Sequence, residues 1–250
     1  MNQGEVLLSG QNITQRWGGL VALDKVSVEI ERGELHAVIG TNGAGKSTLI
    51  NILSGELKPT EGQVTLLDQD VTHWSQPRRA RNGLGRSYQR NTIFPDFSVF
   101  ENCRLAAQAQ VQRPWVWWNN SQKCQLSSTN ARNGIRLAGL EAFSDQVAGP
   151  LSHGQKRQLE VAMCLATNPQ VLLLDEPLAG MGAEETERML ALLGQLKAGH
   201  GILLVEHDMD AVFRIADRIT VMVNGSVIAS DTPDNIRTNP AVQTAYLGDH

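Results

Sequence analysis

Apolar and polar positions change rhythm twice along the chain. Near the start, Val6–Trp17 and Val21–Ile30 are dense in β-branched and apolar residues, with Gly18-Gly19 between them, which predicts two strands joined by a turn. Arg32-Gly33 marks the next turn, and Leu35–Ile39 reads as a short apolar strand. A helix fits Lys46–Leu53, stopped by Ser54-Gly55, and Gln63–Leu67 has the pattern of another short strand. Between residues 90 and 165 the strand signals fade and helical spacing dominates. After that, alternation returns: Val171–Leu174 (strand), Ala183–Lys197 (helix), Ile202–Val205 (strand), Met209–Ala216 (helix). Arg218–Val223 and Ser226–Ala229 flank Asn224-Gly225, a hairpin turn signal, and Thr232-Pro233 opens a short terminal helix. Strands alternating with helices predict an α/β fold with a mainly parallel sheet and a helical insert.

One segment fits neither rhythm. Residues 113–124 read RPWVWWNNSQKC, holding three of the five tryptophans beside Asn-Asn. Two readings stand: a loop or partner-facing excursion, or an insertion whose tryptophans pack locally.

Length and composition set wide limits. A chain of 250 residues buries a sizeable core, and 41% hydrophobic with 19% charged residues suits a soluble globular protein. The net charge of −4 lacks the basic excess of a nucleic-acid binder, so no nucleic-acid partner is expected. The longest apolar runs span only a few residues, far below a membrane helix, and MNQGEVLLSG has no signal-peptide pattern. Cys103, Cys124 and Cys164 lack metal-ligand spacing and read as reduced thiols of a cytosolic protein.

The chemistry concentrates in residues 40–48, GTNGAGKST. Gly40 and Gly45 bracket four residues and are followed by Lys46 and Ser47, the phosphate-loop pattern. Glycines let successive N–H groups point inward around an anion, and the following helix offers its positive end. Lys46 adds a point charge, and the Ser47 hydroxyl suits Mg²⁺. Val171–Leu174 runs into Asp175-Glu176-Pro177, so a carboxylate at the strand end can reach a metal held by that loop. Asp175 is the metal-side candidate, and Glu176 can orient or deprotonate water. In Leu151-Ser152-His153-Gly154-Gln155, before a helical stretch, Ser152 reads either as a helix cap or as part of an anion site.

Taken together, GTNGAGKST (40–48), Gln89, LSHGQ (151–155), VLLLDEP (171–177) and His207 resemble the ATP-binding cassette (ABC) ATPases in order and spacing, over nearly the whole chain. The resemblance implies a P-loop NTPase of α/β class over residues 5–250. It would have a RecA-like core, an N-terminal antiparallel β subdomain and a helical subdomain inserted at about 90–165. It implies ATP and Mg²⁺ as cofactors. ATP would contact Trp17, Gly40, Thr41, Asn42, Gly43, Ala44, Gly45, Lys46, Ser47, Thr48 and Gln89. Trp17 would stack on adenine, where tyrosine is commoner. Ser47, Gln89 and Asp175 would serve the metal, and Glu176, His207 and Lys46 catalysis. Ser152, His153, Gly154 and Gln155 would meet the ATP of a facing subunit.

Two stretches depart from the family pattern. His153 stands where LSGGQ has its first glycine, and Ala179-Gly180-Met181-Gly182 replaces SALD, putting Gly182 at the aspartate position. Within the family, RWGGLVALDKVS (16–27), GRSYQ (85–89), VEHDMDAV (205–212) and DTPDNIRTNPAVQTAYLG (231–248) are similar to the ATPase subunit of bacterial importers for branched-chain and other hydrophobic amino acids, with urea and amide importers close by. The implied partners are a second ATPase subunit, identical or different, two membrane permeases and, indirectly, an external solute-binding protein. The implied location is the inner face of the cell membrane. A soluble ABC ATPase of translation or repair is the rival reading, but those carry two cassettes or a long coiled coil, and neither occurs here.

Overall fold

The structure is a computed structural model and describes residues 4–87, 93–111 and 125–247. Gln89 and the tryptophan-rich stretch 113–124, including Cys124, lie outside the described residues. Two sheets form the body. The first is antiparallel and pairs β1 (Val6–Trp17) with β2 (Leu20–Glu31) and β4 (Glu61–Leu66), the last edged by β5 (Gln69–Asp70). The second contains β3 (Leu35–Gly40), β6 (Leu84–Arg86), β7 (Val171–Asp175), β8 (Gly201–Val205), β9 (Arg218–Val223) and β10 (Ser226–Asp231). Its order is β10-β9-β3-β8-β7-β6, parallel except for β10, which returns antiparallel from the Asn224-Gly225 turn. Both turn residues have positive φ, 47° and 80°, as a tight primed hairpin requires.

The continuous apolar runs of β7 and β8 reflect burial on both faces. Val171, Leu173, Leu203 and Val205 pack with helix α1 (Lys46–Ser54) and the antiparallel sheet. Leu172, Leu174, Ile202 and Leu204 face the other way, onto α5 (His153–Ala166) and α6 (Ala183–Lys197). The period of two is intact, but each side meets its own apolar layer. Three helices form a layer of their own: α3 (Val99–Val111) and α4 (Gln125–Leu137) with α5. Gly134 lies inside α4, where glycine costs about 1 kcal/mol against alanine. A Cβ there would stand 2.6 Å from the Ala162 carbonyl, so the glycine is what lets α4 close on α5.

Several elements extend beyond the sequence reading. Helix α2 (Gln76–Arg81) is polar, QPRRAR, and shows no apolar period. Its Arg79 is nonetheless fully buried, donating to the carbonyls of Ile52 (2.7 Å), Leu53 (2.8 Å) and Thr72 (3.2 Å). It thus caps the negative end of α1, and burial lowers its pKa only to about 10, leaving it charged at neutral pH. The predicted single terminal helix is two, α8 (Pro233–Thr238) and α9 (Pro240–Leu247), because Pro240 cannot continue the first. Helix α7 (Met209–Ile215) follows β8 as expected.

One core polar chain is pH-sensitive. His36 Nδ1 lies 2.7 Å from the Glu29 carbonyl, which only accepts, so Nδ1 carries the proton. Nε2 then accepts from Thr220 Oγ1 at 2.7 Å, and Thr220 in turn accepts from Ser230 Oγ. Burial drives the imidazole pKa down to about 4. The unfolded chain binds a proton near 6.5, so stability from this group is present above that value and is lost as pH falls from 6.5 toward 4. The gap corresponds to on the order of 3 kcal/mol. In thermal melts between pH 7 and pH 4.5, His36→Gln is expected to be less stable at pH 7 but to lose less stability on acidification than the parent.

Candidate nucleotide-binding and hydrolysis site

The phosphate-loop turn joins the end of β3 to the start of α1, near the middle of the parallel sheet. Its shape is set by close approaches. A Cβ on Gly40 would collide with the Met222 carbonyl, and one on Gly45 (φ 98°) would stand 2.7 Å from the Ala22 carbonyl. Gly43, with φ 79°, would meet nothing within 4 Å, so the middle of the turn opens outward. A backbone cradle at a helix N-terminus is built for an anion, and these residues fit a nucleotide phosphate. The turn of β9 and β10 braces it: Gly225 N–H donates to the Ala44 carbonyl (3.1 Å), and Asp24 N–H to the Gly225 carbonyl (2.9 Å).

Over this turn lies a cavity of about 540 Å³. Of the sequence-predicted residues, Trp17, Asn42, Gly43, Ala44, Gly45, Lys46, Ser47, Thr48, Glu176 and His207 all line it. Gly40 and Thr41 do not line it; their carbonyls accept from Lys46 Nζ at 2.7 and 3.0 Å. Trp17 sits at the rim, 49% exposed, with Leu20 and Val21 beside it as an apolar shelf. Burial pulls the Lys46 pKa down, opposed by the Glu176 and then the Asp175 carboxylates.

The carboxylates come from one strand end with opposite surroundings. Asp175 closes β7 and is buried, which raises its pKa; the Arg86 guanidinium, 3.9 Å away, is the chief opposing influence. Glu176 turns into the left-handed region, φ 50°, which costs a non-glycine residue about 1–2 kcal/mol. Its N–H donates to the Val205 carbonyl, and its Oε1 lies 2.6 Å from His207 Nε2. The strained turn swings Glu176 away from Asp175 and toward the phosphate-loop cavity.

Two neighbours carry no role in the sequence reading. Glu206, only 3% exposed, accepts from the N–H groups of Leu178 (2.8 Å) and His207 (3.1 Å), tying the two segments that bear Glu176 and His207. Burial raises its pKa. Arg86 donates to Asn51 and Ser54 (each 2.5 Å) and Glu56 (2.8 Å), binding the end of α1 to the strand beside Asp175.

Ser152, Gly154 and Gln155 line a different cavity, at the N-terminus of α5. Ser152 does cap that helix: Gln155 N–H donates to Ser152 Oγ (3.2 Å), and Ser152 N–H to Gln155 Oε1 (2.8 Å). The His153 ring packs on Gly180, where a Cβ would stand 3.2 Å from its Cε1 and φ is 75°. The two departures from the family pattern therefore meet each other: the imidazole occupies the space that glycine leaves at 180.

A phosphate cradle between the central parallel strand β3 and its helix, faced by carboxylates at the end of β7, two strands along the sheet, defines a phosphate-loop nucleoside triphosphatase. Residues 23–179 match the family model described as ABC transporter, and residues 226–250 the one for the branched-chain amino acid ATP-binding cassette transporter. The chain is 38% identical to the high-affinity branched-chain amino acid transport ATP-binding protein LivG of Escherichia coli K12, covering 97% of this chain and 98% of that protein. It is 34% identical to BraF of Pseudomonas aeruginosa over the same shares. A nucleotide-free ATP-binding cassette from an ABC transporter superposes with a TM-score of 0.87 at 30% identity, covering 98% of this chain and 100% of that one. A dimeric bacterial ABC transporter cassette gives 0.76 at 25% identity, over 91% and 99%. The chain belongs to the ABC transporter family as an ATP-binding cassette, an ATPase.

The His153–Gly180 contact makes a testable pair. Gly180→Ala is expected to lower unfolding free energy by about 1–3 kcal/mol, from crowding plus the left-handed backbone. In a His153→Gly background the same change costs less, leaving mainly the backbone part. Urea unfolding of the four proteins measures the coupling.

Proposed function

We propose that this cassette hydrolyses ATP to drive import of branched-chain or other hydrophobic amino acids. The observation that carries the hydrolytic part is the 2.6 Å Glu176–His207 pair, held at the mouth of the phosphate-loop cavity. The β- and γ-phosphates lie in the backbone cradle of residues 41–48, and Lys46 turns its ammonium from the loop carbonyls to their oxygens. The adenine stacks on Trp17 against the Leu20–Val21 shelf. Ser47 and Asp175 are hard oxygen donors beside the cradle and suit Mg²⁺, which when bound neutralises phosphate charge. Glu176 accepts a proton from the attacking water as its oxygen bonds to the γ-phosphorus; the bond to the β-phosphate oxygen breaks and its electrons leave with ADP. His207 orients Glu176 and contacts the γ-phosphate.

Ser152 and Gly154 complete the site of a facing cassette, because they open on a separate cavity from this chain's own phosphate loop. The permeases dock along a groove of about 300 Å³ lined by Leu84, Arg86, Ser87, Ala106, Met163 and Cys164. Its lining includes Ser87, whose hydroxyl accepts from the Asp175 N–H (3.4 Å), so a partner touching Ser87 is one hydrogen bond from the Asp175 backbone. Among the described residues no helix is long and apolar enough to cross a membrane, which suits a peripheral place on the inner face beside the permeases. The amino-acid cargo rests on the similarity to LivG and BraF, branched-chain amino acid transport ATP-binding proteins, and on the match of residues 226–250.

Glu176→Gln is expected to bind ATP normally while turnover falls by about 100-fold or more. Phosphate release that matches the parent would overturn the assignment. Uptake of labelled leucine and of labelled urea, in cells with and without the chain, tests the cargo; loss of urea uptake alone would favour the amide and urea group.

A further inference from the structure

The signature segment of this chain is held by a carboxylate from its own core. Glu185, in the first turn of α6, accepts from Ser152 Oγ at 2.9 Å and from Gly154 N–H at 3.2 Å through Oε1. Its Oε2 accepts from Gly182 N–H at 3.4 Å. The fit is close: a Cβ on Gly154 would collide with the Glu185 carboxyl carbon. These are the donors that the proposed function assigns to the γ-phosphate of a facing ATP.

Donor arithmetic makes the two occupants exclusive. A hydroxyl carries one hydrogen. Ser152 Oγ already accepts from Gln155 N–H and gives its hydrogen to Glu185, so it has none for phosphate while Glu185 stays. Gly154 N–H is likewise a single donor, and Glu185 lies on it. The hydrogen bond from Ser152 holds the Glu185 pKa below the usual carboxylate range, so the side chain is ionised at neutral pH. A second anion arriving at the α5 N-terminus meets this charge as well as losing its donors. Arg188, three residues along α6 and lining the same cavity, faces Glu185 across one helical turn and can receive the displaced carboxylate.

We propose that Glu185 is an internal stand-in for the γ-phosphate: it occupies the signature's anion site, and the ATP of a facing cassette must displace it before two cassettes close. Glu185 thereby sets the ATP concentration at which pairing begins. It is a gate on the composite site and touches neither the chain's own phosphate loop nor the attacked phosphorus. The inference rests on the reading of Ser152–Gly154 as a contact to a facing ATP.

The test uses the full chain carrying Glu176→Gln, so that ATP persists. The ATP concentration for half-maximal dimer is measured by sedimentation, alone and with Glu185→Gln or Glu185→Ala added. Glutamine keeps the acceptor for Gly182 N–H, and so the start of α6, while removing the charge. The gate predicts that Glu185→Gln lowers the half-maximal ATP concentration by roughly fivefold, a modest factor because the carboxylate is partly exposed to solvent. Raising the salt narrows the difference. ADP affinity of the single cassette stays unchanged in both variants. If both variants pair at the same or higher ATP concentration than the Glu176→Gln parent, Glu185 is only a helix cap and the gate is wrong. If the parent binds ATP and does not pair, or pairs undiminished with Ser152→Ala, the facing-subunit reading itself fails and the gate falls with it.

Discussion

The backbone turn from Gly40 to Lys46 is the constraint around which the molecule is arranged. It must keep several N–H groups converging on one point, and that requires left-handed angles at Gly43 and Gly45. Such a turn is stable only if its surroundings leave it no alternative. Here strand β2 and the β9–β10 turn press on it: the Ala22 carbonyl closes on Gly45, and Gly225 donates to Ala44. The far end of α1 is fixed as firmly, with Arg79 on the last carbonyls and Arg86 on Asn51 and Ser54. A helix whose N-terminus serves an anion is thus clamped at its C-terminus by two guanidiniums. Their positive charge faces the negative end of the same dipole.

Charge is distributed around this turn so that no carboxylate is idle. Asp175 faces Arg86 on one side and approaches Lys46 on the other. Glu176 is paired with His207, and Glu206 spends both oxygens on backbone donors that hold the segments of those two residues. Burial raises the pKa of Asp175 and Glu206 alike. Fixing the groups before the nucleotide arrives is what lets them act without reorganising.

Much of this was legible along the chain, for identifiable reasons. The phosphate loop and the strand that ends in Asp175-Glu176 are contiguous, so their residues carry their own spacing. The buried strands were legible because two-sided burial leaves an unbroken apolar run. What escaped depends on distant pairs. Arg79 reads as a surface charge in QPRRAR, and only tertiary contact with α1 buries it. Asn224-Gly225 was visible as a turn, but not that its glycine would brace residue 44, 181 positions earlier. Glu206 did carry a sign in the sequence, as an acid directly after an apolar strand and beside His207. Glu185 gave no such sign, since an acid in the first turn of a helix is ordinary.

The departures at 153 and 180–182 show why such pairs matter more than either position alone. Read singly, His153 and Gly182 are two separate departures from the family pattern. In the fold, the imidazole rests where residue 180 has no side chain, while Gly154 beside it remains open to Glu185. The signature helix α5 is therefore joined twice to the segment that leads into α6, by an imidazole contact at Gly180 in the preceding turn and by hydrogen bonds at Glu185 in the first helical turn. One of these contacts uses the donors proposed for the phosphate of a facing cassette, and the other does not. Displacing Glu185 would leave the His153 contact in place, so the signature can change its ligand without losing its anchor to the core.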